Sequence, residues 1–238
     1  MNSYEFQRYQ RQIIMDEVGF DGQAKLFQAR VAIIGVGGLG CPVATYLCAA
    51  GIGNLTIIDD DVVSLSNLQR QVLYTEQDIG QPKVICMQKR LEAQQITANI
   101  KAIQTRLTIE NASQLLDNHD VIVDCSDNIE TRLLLNDVSK KLNMPWVFGS
   151  VLQFEGQVAV FNYQNSGNFL DLFPDINNSI DLQSCEEAGV MGVLPSIIGS
   201  MQASETIKIL LNKGDLLINK ILIINVLNWK MRILKYGK

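Results

Sequence analysis

Val31-Ala32-Ile33-Ile34-Gly35-Val36-Gly37-Gly38-Leu39-Gly40 is an apolar run that closes on a glycine-rich turn, and its reading decides the fold. Residues 41–51 follow with helical character, Leu55-Thr56-Ile57-Ile58 repeats the apolar strand pattern, and Asp59 ends it. Strand, glycine turn, helix, strand and acid, with the acid about 20 residues beyond the glycines, make the fingerprint of a dinucleotide-binding βαβ unit. The glycines permit a tight turn, bring main-chain N–H groups close to a phosphate and aim a helix N-terminus at the anion. A carboxylate at Asp59 is placed to accept ribose hydroxyls. On its own the unit specifies an adenine nucleotide and leaves NAD, FAD, S-adenosylmethionine and ATP open. A turn kept only for close helix–sheet packing is the weaker alternative, because all four parts fall in register.

Outward from this unit the pattern continues as alternating strands and helices. Residues 1–30 read as a helical arm, carrying two arginines around Tyr9. A loop after Arg70 leads into a helix over residues 83–93, with Pro82 suited to its first turn. Strands follow at residues 100–104, 121–123 and 145–148, with helices at 110–116 and 130–142 between them. Such alternation implies a parallel sheet with helices on both faces, whose ligands sit at the carboxyl ends of the strands. Gly35, Asp59 and Asp127 all fall at such ends. After Gly149 the pattern turns antiparallel: a strand at 156–161, a helix at 193–211 and a hairpin from strands at 221–225 and 229–234. The polar stretch 164–188 is too long for a simple connector and reads as a mobile loop. The expected organisation is an arm over 1–30, a Rossmann-like nucleotide-binding part over 31–150, and a C-terminal part over 151–238 that belongs to the same domain.

Composition narrows the class. With 47% hydrophobic residues in 238, the chain is not a disordered one. A net charge of −5 and a pI near 5.0 argue against an extended nucleic-acid surface. Residues 31–58 carry no charged side chain, a length that nominally spans a bilayer, but the glycine turn and Pro42 break it into a buried βαβ unit. No membrane association is expected. Five cysteines without framework spacing suit a reducing cytoplasm. Cys41, Cys48, Cys86 and Cys125 lie on helix or strand patterns and read as core, while His119 reads as a surface residue.

Four further residues carry chemistry. Asn67 and Arg70 lie three apart on a short turn beyond Asp59, so both can face one ligand. Lys83 opens a helix. Asp127 follows a buried strand and suits Mg²⁺ bound through oxygen contacts to phosphates, although it also suits the N-cap of the next helix. A dehydrogenase does not need this set, whereas an enzyme that cleaves a nucleoside triphosphate must stabilise departing pyrophosphate.

Arg8-Tyr9-Gln10-Arg11-Gln12, the glycine turn, Ser66-Asn67-Leu68-Gln69-Arg70-Gln71, Gly80-Gln81-Pro82-Lys83, Asp127-Asn128 with Thr131-Arg132, and Cys185-Glu186-Glu187-Ala188-Gly189-Val190 occur in this order. Together they resemble the E1-like adenylyltransferases of the ThiF/MoeB/HesA family. The opening residues and Thr75-Glu76-Gln77-Asp78-Ile79 are most similar to the family's thiamine-pathway member. The resemblance implies that ATP·Mg²⁺ and the C-terminal Gly-Gly tail of a ubiquitin-like sulfur-carrier protein react to give a carrier acyl-adenylate and pyrophosphate. It implies nucleotide contacts from Gly35, Gly37, Gly38, Gly40, Asp59, Asp61, Asn67 and Asn128, charge neutralisation by Arg70 and Lys83, and Mg²⁺ at Asp127. It also implies a homodimer in which Arg11 reaches into the partner subunit's site, and a link between Cys185 and a later sulfur-transfer step.

Many relatives carry two CxxC pairs for structural zinc. This sequence has Asn168-Phe169-Leu170-Asp171 where the first would fall, so no zinc is expected. Activation of a molybdopterin-synthase carrier, or of another peptide or small-molecule carboxylate, is the competing reading of the same chemistry. A nicotinamide or flavin oxidoreductase leaves the Asn/Arg/Lys/Asp set unexplained. A non-catalytic scaffold does not require that all the phosphate-facing residues be present.

Overall fold

The computed structural model describes residues 1–95, 97–176 and 189–237. Its elements in chain order are α1 (Ser3–Ile13), α2 (Gly19–Gln28), β1 (Arg30–Ile34), α3 (Gly40–Ala50), β2 (Asn54–Ile58), α4 (Lys83–Gln94), β3 (Asn99–Ile103), α5 (Ala112–Leu116) and β4 (Val121–Asp124). They continue with α6 (Ile129–Leu142), β5 (Trp146–Leu152), β6 (Glu155–Phe161), α7 (Phe169–Leu172), α8 (Val193–Leu211), β7 (Lys220–Asn225) and β8 (Lys230–Lys235). The strands form one eight-stranded sheet in the order β3-β2-β1-β4-β5-β6-β7-β8. Strands β3 to β5 pair parallel, and β5 to β8 pair antiparallel. The chain's direction of progress across the sheet reverses between β1 and β4, which is where such sheets hold their ligands.

Successive side chains of the apolar run in β1 point to opposite faces of the sheet. Val31 and Ile33 point to one layer with Leu47, Met87, Leu91 and Ile198, beneath α3, α4 and α8. Ala32 and Ile34 point to the other, with Leu116, Leu135, Trp146 and Phe161, beneath α5, α6 and α7. Cys41, Cys48, Cys86 and Cys125 are all buried, as their patterns imply. Helix α8 packs along α3, and its Gly199 makes this possible: an added Cβ would lie 2.5 Å from Pro42 Cγ and 2.6 Å from the Leu39 carbonyl. No helix among the described residues is long and apolar enough to cross a membrane.

Three local expectations need correction. Strand β5 runs on to Leu152, because its pairing with β6 continues through Leu152 and Glu155 around a tight turn in which Gln153 takes a φ of 53°. Residues 164–176, part of the stretch expected to be a mobile loop, carry a short helix. Asn168 and Asp171 form a capping box around α7, and Phe169 is fully buried against Trp146, Phe148 and Phe161. The remaining residues of that stretch, 177–188, lie outside the described residues, and with them Cys185. His119 is not simply a surface residue: its ring nitrogens bridge the Leu116 carbonyl at 2.9 Å and Thr56 Oγ1 at 2.8 Å. At the far side of the sheet β8 is an edge strand, all six of its residues exposed, with Lys230, Arg232 and Lys235 alternating among Met231, Ile233 and Leu234.

Candidate active site

The carboxyl ends of β1, β2 and β4 and the loop after β3 converge on a cavity of 420 Å³. Its floor is the β1–α3 turn. Gly35 sits there at a φ of 88°, and a Cβ on it would lie 2.7 Å from the Cys125 carbonyl oxygen, so no other residue fits the close approach of this turn to the end of β4. Gly40 is packed beneath the turn, its would-be Cβ only 2.2 Å from the Gly35 oxygen, while Gly37 and Gly38 face the cavity.

The peptide of Val36 is clamped from both sides. Its N–H donates to Asp59 Oδ2 at 2.8 Å, and its carbonyl accepts from the Tyr74 hydroxyl at 2.7 Å. The other carboxylate oxygen of Asp59 accepts from the Asp61 amide at 2.8 Å. Each oxygen therefore secures one backbone donor and keeps a lone pair for a further one, such as a hydroxyl. Burial pushes the Asp59 carboxyl up from the usual range, against the pull of the Val36 amide and Lys83.

Positive charge enters from three directions. Lys83, the first residue of α4, is 5% exposed and its Nζ lies 2.7 Å from Asp61 Oδ2. Its amide donates to the Asp61 carbonyl at 3.0 Å, so Asp61 holds this lysine at both ends. Arg70 lines the cavity beside Gly38, with Nη1 donating to the Ser66 carbonyl at 3.1 Å and no carboxylate partner among the described residues. Arg106 lines it from the loop after β3. Asp127 stands exposed at the rim next to Asn128. It is Asn128, not Asp127, that caps α6, accepting from the Thr131 amide at 2.9 Å.

Two assigned residues stand apart from this cluster. Asn67 is 7% exposed and its Oδ1 accepts from the Ser64 amide at 3.3 Å, closing the turn that carries Arg70; it is not among the residues lining the cavity. Arg11 is exposed at the end of α1 and does not line the cavity of its own chain. Sequence reasoning also missed residues that the fold brings in. Gln71 is 3% exposed, lines the cavity and leaves Oε1 without a partner. Gln71 and Arg132 both stood inside quoted motifs, but Tyr74 and Arg106 lie in loops with no periodic signal.

A second cavity of 810 Å³ opens beside the first, sharing Asp127, Asn128, Arg132 and Val151 with it. Its walls include Phe148, Leu152, Phe154, Phe169 and Phe173. A nucleotide-sized cavity, in which Arg70, Lys83, Arg106 and Arg132 face Asp59, Asp60, Asp61 and Asp127, thus shares a wall with a larger one rich in aromatic side chains.

The chain matches the ThiF family over residues 9–238. It is 44% identical over 233 residues to a sulfur carrier protein adenylyltransferase of Thermus thermophilus, covering 96% of this chain and 86% of that protein. It is 44% identical over 223 residues to the adenylyltransferase and sulfurtransferase MOCS3 of Anopheles gambiae, where it spans 94% of itself but 51% of the relative. A SAMP-activating enzyme E1 of Haloferax volcanii is 37% identical, covering 99% of this chain and 87% of that protein. Among solved structures, the E. coli MccB complex with ATP superposes with a TM-score of 0.84 at 21% identity, covering all of this chain and 74% of that one, which establishes the shared fold. The chain belongs to the ThiF family, and it is an adenylyltransferase.

Proposed function

We propose that this chain binds ATP·Mg²⁺ and adenylylates the C-terminal Gly-Gly carboxylate of a ubiquitin-like sulfur-carrier protein. The observation that carries the reading is the convergence of the glycine turn, Asp59, Arg70, Lys83 and Asp127 on one cavity whose wall opens into a second. In this reading Asp59 holds the ribose, and the amides of the Gly35–Gly40 turn face the phosphates. Arg70 and Lys83 take up the charge of the leaving pyrophosphate. The tail carboxylate oxygen attacks the α-phosphorus, the bond from that phosphorus to the bridging oxygen breaks, and a carboxylic–phosphoric anhydride remains. No protein nucleophile is required, because placing two reactants and neutralising charge lower the barrier.

The exposed Asp127 carboxylate at the cavity rim suits a cation which keeps several of its waters. When bound, Mg²⁺ supplies neutralisation of phosphate charge there. Asn67 acts at one remove, by fixing the turn that presents Arg70. The assembly is a homodimer in which Arg11 completes the partner subunit's site, and the protein works in the cytoplasm without structural zinc. Cys185 serves a later sulfur-transfer step.

The finer assignment is activation of a ThiS-like carrier for the thiazole of thiamine, supported by the similarity of the opening residues and of Thr75-Glu76-Gln77-Asp78-Ile79 to the thiamine-pathway member. Activation of a MoaD-like carrier is the second reading, favoured by the names of the MOCS3 relatives and of a probable molybdopterin-synthase adenylyltransferase of Porphyra purpurea, 40% identical over 226 residues. ATP–pyrophosphate exchange with each purified carrier decides between them. Exchange that depends on one carrier and falls at least about a hundredfold in Asp127→Ala is expected. ATP binding without exchange on any Gly-Gly-ending carrier would shift the substrate to another carboxylate.

A further inference from the structure

Arg132 stands in the wall that the two cavities share. Its guanidinium carbon lies 5.2 Å from the centre of the Phe148 ring, and Nη2 donates to the Ser126 carbonyl at 3.0 Å. Nε is 3.8 Å from Oδ2 of Asp124, which has no exposed surface. The other Asp124 oxygen is already occupied, accepting from the Ser126 amide at 2.9 Å and its hydroxyl at 2.6 Å. Arg132 Nε and Asp124 Oδ2 are both buried and both without a hydrogen-bond partner.

Three features separate this arginine from Arg70 and Arg106. Its charge is matched by Asp124, so the pair adds little net positive potential, whereas Arg70 and Arg106 have no carboxylate partner among the described residues. Contact with the Phe148 ring restrains its guanidinium, a planar donor set that an ammonium cannot reproduce. Arg132 borders both cavities, so a chain passing from one to the other runs alongside it. A planar set of N–H groups suits carboxylate and peptide carbonyl oxygens. The open Nε···Oδ2 distance leaves room for the guanidinium to move about 1 Å and complete a bond to Asp124.

We propose that Arg132 orients the carbonyl and carboxylate oxygens of the peptide tail as it enters the nucleotide cavity, and that Asp124 is a positioning residue acting through it. The proposal rests on the adenylylation reading above and assigns to one side chain the alignment of the attacking carboxylate.

Calorimetry with ATP and with a ubiquitin-like protein ending Gly-Gly, together with ATP–pyrophosphate exchange, tests it on Arg132→Gln, Arg132→Lys and Asp124→Asn. Arg132→Gln keeps ATP affinity within about threefold while the carrier KM rises on the order of tenfold and kcat falls. Arg132→Lys does not restore the wild-type values, because the planar fork is lost, and Asp124→Asn shifts carrier KM and kcat in the same direction. If Asp124→Asn does not fold, the two arginine variants still decide. A folded Arg132→Gln with wild-type carrier KM and kcat overturns the proposal, as does an ATP affinity that falls in step with carrier affinity, which would make Arg132 a phosphate ligand. Wild-type protein that binds ATP but no Gly-Gly carrier overturns the adenylylation reading and this proposal together. Wild-type exchange matched by Arg132→Gln overturns this proposal alone.

Discussion

The Val36 peptide shows how single residues set the nucleotide loop before any ligand arrives. Asp59 takes its N–H and Tyr74 its carbonyl, so the turn is held on both sides by side chains outside the glycine motif. Removing the Tyr74 hydroxyl leaves a buried acceptor with only a long 3.7 Å contact from Cys41 Sγ. Tyr74→Phe is expected to lower stability by about 1–2 kcal/mol in denaturant titrations and to weaken ATP binding roughly three- to tenfold by calorimetry. At this scale the sequence was partly legible. Asp59, Gly35, Gly37 and Gly38 line one cavity, the convergence that their spacing implied. Tyr74 could not be read, since an aromatic in a polar loop announces no partner. Asn67 is a different case: its spacing from Arg70 suggested a shared ligand, and its Oδ1 accepts from the Ser64 amide of its own turn.

At the scale of elements, α8 is the piece on which the nucleotide loop leans. Pro195 near its start lies against Gly38, 3.1 Å from where a Cβ would stand, and Gly199 one turn further meets Leu39 and Pro42. Gly199→Ala is expected to push α8 off α3, costing about 1–3 kcal/mol and lowering the melting temperature, with weaker ATP binding as the loop loses its support. Calorimetric melting with and without ATP checks both effects. The parallel half of the sheet was legible because buried strands appear as short apolar runs ending in glycine or acid. The extent of β5 was not, because Gly149 looked like a terminator. It is instead a packing site, where a Cβ would fall 2.3 Å from the Gln202 side chain. Helix α7 escaped for a related reason. Its single buried anchor, Phe169, sits among polar residues whose capping role depends on geometry that composition does not reveal.

For the whole molecule, two outcomes are expected. If Arg11 completes the partner subunit's site, Arg11→Ala and Asp127→Ala chains, each inactive alone, regain about a quarter of wild-type exchange when mixed as dimers, because half the dimers carry one intact site. Mixing without recovery would remove Arg11 from the reaction. The second outcome concerns alkali. Burial pushes the Cys41 thiol up to about 12 and that of Cys48 to about 11, from a usual value of 9.0. Unfolded chains therefore release these protons first, so the stabilisation is complete below pH 9 and is lost as pH rises through 11 to 12. Denaturant midpoints should fall across that window, and by less in a Cys48→Ala variant. The edge strand β8 carries a consequence of another kind. Its outer backbone edge, unpaired among the described residues, is a template for another strand, and Met231, Ile233 and Leu234 would reward such pairing; Lys230, Arg232 and Lys235 between them bring like charges together whenever two copies align. The resistance of this edge to strand pairing at high concentration thus draws on Lys230, Arg232 and Lys235, and high salt, by screening them, weakens it.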